Sequence, residues 1–155
     1  RYEDYRRALC ILDPYGLHLD WLVMRDAGKM KTVDIFLNFP IMDMNMNVLK
    51  RDPEKVDDLQ IARMNTFWGD NSWRNVAYSS QGLLFGEEKV DNEVIVNAFR
   101  ERLREVAGFK YVPEPMPMRN SKGAVVYYLF FASQNATAAT IAGQVFRKHR
   151  ERRDL

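Results

Sequence analysis

The sequence predicts an α/β domain in which a parallel strand–helix–strand crossover is followed by a helical middle, a carboxyl-terminal antiparallel hairpin and a last helix. Three observations carry that prediction. Two apolar runs, Ala8-Leu9-Cys10-Ile11-Leu12 and Val33-Asp34-Ile35-Phe36-Leu37-Asn38-Phe39, each meet a proline soon after they end and are separated by a stretch of helical spacing, the pattern of a right-handed parallel crossover. A third run, Ala124-Val125-Val126-Tyr127-Tyr128-Leu129-Phe130-Phe131-Ala132, follows the turn formers Asn120-Ser121-Lys122-Gly123 and an extended proline-rich segment, the pattern of a hairpin. Residues 41–108, between them, read as a helical and irregular insertion.

The first run is the clearest buried strand. Five consecutive apolar residues fit a strand covered on both faces, and Asp13-Pro14-Tyr15-Gly16 then stands at its carboxyl end, where sheets of this class bind ligands. Pro14 forbids further ladder pairing and Gly16 permits a turn. Leu17, Trp21, Leu22 and Met24 give a helix over Leu17 to Ala27, with Gly28 as its stop. The crossover then sets Asn38-Phe39-Pro40 beside Asp13–Gly16 on one edge.

In the middle, Met42, Met44 and Met46 alternate with Asp43, Asn45 and Asn47 as a short helix or an extended loop, and methionines there fill gaps in packing. Asp52-Pro53-Glu54 starts a helix with Val56, Leu59, Ile61, Ala62 and Met64 on its apolar face. Thr66 to Arg74, rich in aromatics and turn formers, reads as a loop. Asp91-Asn92 opens a stronger helix in which Ile95, Phe99, Leu103 and Val106 share a face, and Gly108 ends it. Pro113, Pro115 and Pro117, two apart, place every missing amide on one side of an extended segment from Lys110 to Met118, which makes it an edge strand or one that enters the sheet late. The final helix begins near Gln134 and uses Ile141, Ala142, Val145 and Phe146 as its apolar face.

A chain of 155 residues that is 46% hydrophobic and 28% charged suits one globular domain and excludes disordered and fibrous classes. No apolar stretch approaches the roughly 18 residues of a membrane span, so no membrane partner is expected. The single cysteine, Cys10, sits in an apolar strand, which argues against a disulfide framework and fits a reducing cytoplasm. Of the net charge of +2, the tail from Arg147 onward supplies +3, which leaves the body near −1. Cations at a helix carboxyl end answer the helix dipole as readily as they answer phosphate. The first seven residues are polar and are expected to finish a preceding helix or loop. A buried strand within eight residues of the start, without an initiator methionine, predicts a piece of a longer protein. The unpaired edge beside that strand must then be covered, by a second copy in a homodimer or by absent residues.

Ile11-Leu12-Asp13-Pro14-Tyr15-Gly16 with Trp21, Val33 to Pro40, Phe67-Trp68-Gly69-Asp70, Gly108-Phe109 and Tyr127 to Ser133 together resemble the three-Cys-motif partner protein family. The resemblance spans nearly the whole chain. It implies a class I methyltransferase-like, partial Rossmann-like fold: a sheet parallel except for a strand inserted last by a terminal hairpin, with this chain as its carboxyl half, from the fourth strand onward. In amino-group methyltransferases of that fold, an Asp or Asn, two prolines and an aromatic residue end the fourth strand. Asp13-Pro14-Tyr15 resembles that motif with one proline fewer, and the resemblance implies Asp13 as acceptor of the target amine and Tyr15 as a face that stacks on a flipped base. The plainer alternative has Asp13 capping the turn and Tyr15 packing.

Gly16, Asn38 and Phe39 are expected at the same substrate edge. Trp68, Asp70 and Trp73 are further candidates, because indole rings stack on bases, although such tryptophans also close cores beneath long loops. S-adenosylmethionine is the cofactor the resemblance implies. The glycine-rich turn that would hold it is absent, so it requires residues outside this chain. His18 and His149 lie 131 positions apart without metal-ligand spacing, and no Ser/His/Asp or Cys/His set assembles. Two functions follow: a methyltransferase acting on a nucleobase or nucleic acid when complete, or a non-catalytic partner module of a three-Cys-motif protein of iron-sulfur or radical type.

Overall fold

The computed structural model describes residues 6–78 and 88–153. Residues 1–5, part of the polar start, 79–87 in the helical middle, and Asp154 and Leu155 at the end of the basic tail lie outside that description. Among the described residues are six α-helices and one four-stranded mixed sheet. None of these helices is long and apolar enough to cross a membrane.

The predicted crossover forms. Strand β1 (Ala8–Leu12) and strand β2 (Val33–Phe39) pair in parallel from Ala8 opposite Val33 to Leu12 opposite Leu37. The predicted hairpin forms too: β3 (Met116–Arg119) and β4 (Val125–Ala132) are antiparallel, and β4 also pairs antiparallel with β2. The strand order is β1-β2-β4-β3. Pro117 lies in β3 at the sheet edge, as the missing amides require. Of the longer extended segment, Pro113 and Pro115 precede the strand, while Tyr111 makes an isolated bridge to Ser133.

Strand β1 is the other edge of the sheet, and it departs from the expectation of a strand covered on both faces, since one of its faces is open. Cys10 and Leu12 turn toward the core, whereas Leu9 and Ile11 are exposed, Ile11 at 71%. Helix α6 (Ala136–Arg153) covers the same sheet face only over the neighbouring strands, packing Phe146 with Met116 and Phe131 and against Phe36. Of its expected apolar face, Ile141 and Val145 are exposed.

The opposite face carries the main core. Helix α1 (Trp21–Met30) begins later than expected because Asp20 caps it, accepting from the Leu22 amide at 2.9 Å. Gly28 does not stop the helix but lies inside it, where a Cβ would collide with the Ala107 carbonyl oxygen. Helix α2 (Ile41–Asn47) buries Met44 and leaves Met46 exposed.

Asp52 caps a short 3-10 turn, Pro53–Lys55, instead of the next α-helix, and α3 (Asp58–Trp68) takes Asp57 as its cap. The expected loop over Thr66 to Arg74 is largely helical: α3 runs to Trp68, and α4 (Trp73–Ala77) follows after a four-residue turn. Helix α5 (Glu88–Glu105) begins ahead of Asp91-Asn92 and buries Ile95, Phe99 and Leu103, while Val106 lies past its end and is exposed. Phe99 is the hub, with the rings of Phe39, Phe67, Trp68, Trp21 and Phe130 all centred 4.8–5.8 Å away.

Candidate functional site

The carboxyl ends of β1 and β2 bring five of the predicted site residues to one edge: Asp13, Pro14, Tyr15, Gly16 and Asn38. One step beyond the last paired residues, Leu12 and Leu37, the Asn38 amide donates from Nδ2 to Asp13 Oδ1 at 2.8 Å. The parallel register dictates this contact, because residues abreast in adjacent strands point to the same face. Asn38 holds the carboxylate at a cost: its own Oδ1 is buried and accepts no hydrogen bond among the described residues. An orphaned buried acceptor forfeits about 1–3 kcal/mol. Ionised, Asp13 is an acceptor on both oxygens, so Asn38 leaves its second oxygen for an incoming donor.

After Pro14 the chain turns back on itself, with the His18 amide donating to the Tyr15 carbonyl at 3.2 Å. Gly16 makes that turn with φ +55°, and the Asp43 carboxylate fills the space beneath it, 3.0 Å from where a Cβ would stand. Tyr15 is 89% exposed. Its ring does not pack into the core, and its neighbour is the exposed His18 ring, centroids 6.2 Å apart and planes 27° from parallel. The helix expected over Leu17 to Ala27 would hold His18 in its first turn. His18 lies instead ahead of the Asp20 cap, where it stands against Tyr15. Asp43 and His18 therefore join the edge: both are brought there by turns, and turns leave no periodic signal.

The remaining candidates are placed elsewhere. Phe39 is fully buried against Phe67, Phe99 and Phe130. Trp68 and Trp73 are each 1% exposed, their indole N–H groups donating to Ser72 Oγ at 3.0 Å and Asn65 Oδ1 at 2.7 Å. Neither can offer a ring face to a ligand.

Asp70 stays at the surface but is committed. It accepts from the Ser72 amide at 2.9 Å and pairs with Arg102 at 3.2 Å. Burial raises its pKa, yet the Ser72 hydrogen bonds and the Arg102 charge outweigh burial and hold the carboxyl below its usual 3.8. The Arg102 guanidinium, over the Trp21 ring at 5.0 Å and the Trp68 ring at 5.7 Å, also donates to the Trp68 carbonyl at 3.0 Å. This corner is a clasp between α3, α5 and α1. Beside it an open cleft of about 570 Å³ is lined by Asp20, Trp21, Asn65, Asp70 and Asn71, but both of its acids are already spent on backbone amides.

Among the described residues no group of three or more His, Cys, Asp or Glu side chains is placed to hold a metal ion. Comparison with family models, with curated proteins and with solved structures gives no match.

Proposed function

We propose that this chain is the carboxyl half of a class I methyltransferase-like domain of the three-Cys-motif partner type, and that the edge formed by β1 and β2 presents the amine-recognising half of a site for a nucleobase or nucleic acid. The observation that carries the reading is the strand order β1-β2-β4-β3. A parallel pair extended by a last strand inserted antiparallel, with Asp13-Pro14-Tyr15-Gly16 at the carboxyl end of the first strand, is what the resemblance implies from the fourth strand onward. In this reading Asp13 accepts a hydrogen bond from the target amine, and Tyr15 offers its exposed face to the base. Asn38 is a positioning residue that fixes the carboxylate.

The residues present do not fit S-adenosylmethionine. Among the described residues no glycine-rich turn opens a helix at this edge, and the one bare Cα there, at Gly16, is filled by the Asp43 carboxylate. Cofactor binding is therefore assigned to polypeptide joined at the free edge of β1, and the present residues supply recognition. Calorimetric titration of S-adenosylmethionine into the full-length protein and into residues 1–155 tests this: the full-length protein binds and the 155 residues do not. No binding by the full-length protein overturns the reading.

A second reading, a non-catalytic partner module of a three-Cys-motif protein of iron-sulfur or radical type, draws on the exposed Leu9 and Ile11 beside an unpaired strand edge. A second copy pairing at that edge belongs to the same reading. Stable co-purification with a three-Cys-motif protein, without cofactor binding, favours it.

A further inference from the structure

We infer that the open face of β1 and one flank of α6 form a slot for a single amphipathic α-helix of a partner protein, its apolar stripe bordered by acidic residues, a deepening that rests on the second reading above. The parallel register builds the floor. Residues abreast in paired strands point to the same face, so Ile11 shares a face with Phe36, and Leu9 shares it with Asp34. Phe36 meets Phe146 of α6 with ring centroids 6.3 Å apart, which makes this the α6 side of the sheet.

The seating of α6 builds the wall. Ala142 and Phe146 belong to the stripe that packs on the sheet. On one flank of that stripe a Cβ at Gly143 would stand 3.7 Å from Pro113, and Arg150 donates to the Glu114 and Pro115 carbonyls at 3.0 and 2.9 Å. Those residues lead into β3, so this flank faces the β3 end of the strand order. At about 100° per residue, Ile141 and Val145 stand about 140–180° round the helix from Gly143 and Arg150. They therefore look away from β3, toward β2 and β1. Leu9, Ile11, Ile141 and Val145 are each at least half exposed, and four large apolar side chains gathered in the angle between a sheet and a helix mark an interaction surface.

Width and charge select the occupant. Two strand spacings of about 4.8 Å give β1 and β2 a breadth of about 9.6 Å, and packed helices stand about 8–10 Å apart, so the slot takes one helix beside α6. A second copy paired along β1 would add strands to the sheet but no layer above it, and would leave the slot open. A helix lying there keeps its outer face in water and must be amphipathic. Lys148 and Arg152 continue the stripe of Ile141 and Val145 at i+7 and i+11. Both are exposed and neither forms an ion pair among the described residues, whereas Arg150 on the other flank pairs with Glu114 at 3.4 Å. The helix dipole accounts for Arg152 in the last turn but not for Lys148, which stands more than a turn before the end. Asp or Glu residues beside the partner's apolar stripe answer these cations.

Fluorescence anisotropy with the full-length protein and two dye-labelled peptides of about 18 residues, long enough to form a helix, tests the slot. Both carry leucine at i, i+3, i+4 and i+7; glutamate borders the stripe in one and lysine in the other. The acidic peptide binds at least about tenfold more tightly in low salt, and the difference shrinks at about 0.5 M salt. Ile11→Asp and Val145→Asp each weaken the acidic peptide at least about tenfold, the effect of losing a buried apolar anchor. Met46→Asp, at an exposed apolar position on α2 outside the slot, leaves its affinity unchanged. Lys148→Glu combined with Arg152→Glu reverses the preference toward the basic peptide, a result that a folding defect cannot imitate.

No binding of the acidic peptide, equal binding of the two, or wild-type affinity in both Ile11→Asp and Val145→Asp overturns the slot. The second reading fails separately. Peptide binding with this pattern but without co-purification of a three-Cys-motif protein removes that partner and leaves the slot, whereas co-purification undisturbed by Ile11→Asp and Val145→Asp removes the slot and leaves the partner.

Discussion

Arg102→Met tests whether the corner holding Trp68, Asp70 and Trp73 is a structural clasp. The Arg102 side chain is 14% exposed and joins the Trp68 carbonyl, Ser72 Oγ and Asp70 through one guanidinium, with the Trp21 and Trp68 rings against it. Methionine keeps the apolar stem and removes the charge. A hydrogen bond to a charged group contributes about 1.5–3 kcal/mol net, but bonds sharing one donor group do not add in full. Asp70 is half exposed, so its ion pair contributes under about 1 kcal/mol after solvent screening. Cation–π contact with the rings adds roughly 1 kcal/mol. The expected loss is about 3 kcal/mol, or a fall of roughly 6–12 °C in Tm for a domain of this length. Urea unfolding followed by tryptophan fluorescence reads it. A loss below about 1 kcal/mol refutes the clasp.

Other expectations follow from the same geometry. The depressed pKa of Asp70 means that its contribution is present above the unfolded carboxyl value and is lost as pH falls through the lower folded value. The stability difference between wild type and Asp70→Asn is therefore constant above the unfolded carboxyl range and closes as pH falls through the lowered folded value, and a difference that instead grows in acid contradicts the sign. Gly28→Ala drives a methyl into the Ala107 carbonyl and costs about 1–3 kcal/mol in thermal unfolding, with an unchanged Tm as the contrary result. Asn38→Leu removes the orphaned acceptor together with the bond to Asp13. Its melting temperature stays within a few degrees of wild type, equivalent to about 1 kcal/mol, while kcat for methyl transfer by the full-length protein falls; a large loss of stability would make Asn38 structural instead of positioning.

Much of the sheet was legible in the sequence because its signals are local. Apolar runs stopped by Pro14 and Pro40, and the Asn120–Gly123 turn, specify two parallel strands and a hairpin without knowledge of distant contacts. The role of β1 was not legible. Five apolar residues look the same whether a face is covered or open, and the open face of Leu9 and Ile11 appears only with the strand order. The stretch from Thr66 to Arg74 misleads for the opposite reason: Gly69, Asp70, Asn71 and Ser72 are turn formers, but they make one tight link between helices whose tryptophans turn inward.

At the candidate site, Asp13 and Asn38 were predictable neighbours, since a parallel crossover brings strand ends abreast. Asp43 was not, because it reaches the edge through the first turn of α2. Ile141 and Val145 share the helical spacing of Ala142 and Phe146, and only the packing of α6 against the sheet separates the covered pair from the open one.

The most direct measurement is transfer of a labelled methyl group from S-adenosylmethionine to single-stranded oligo(dA) by the full-length protein and by its Asp13→Ala variant, with the melting temperature of both recorded. Transfer by the wild type that drops at least about a hundredfold in the variant, at unchanged melting temperature, is the predicted result and corresponds to roughly 2.7 kcal/mol of lost transition-state stabilisation. Transfer undiminished in Asp13→Ala, or none by the wild type, contradicts the assignment of the β1 edge as the amine-recognising site.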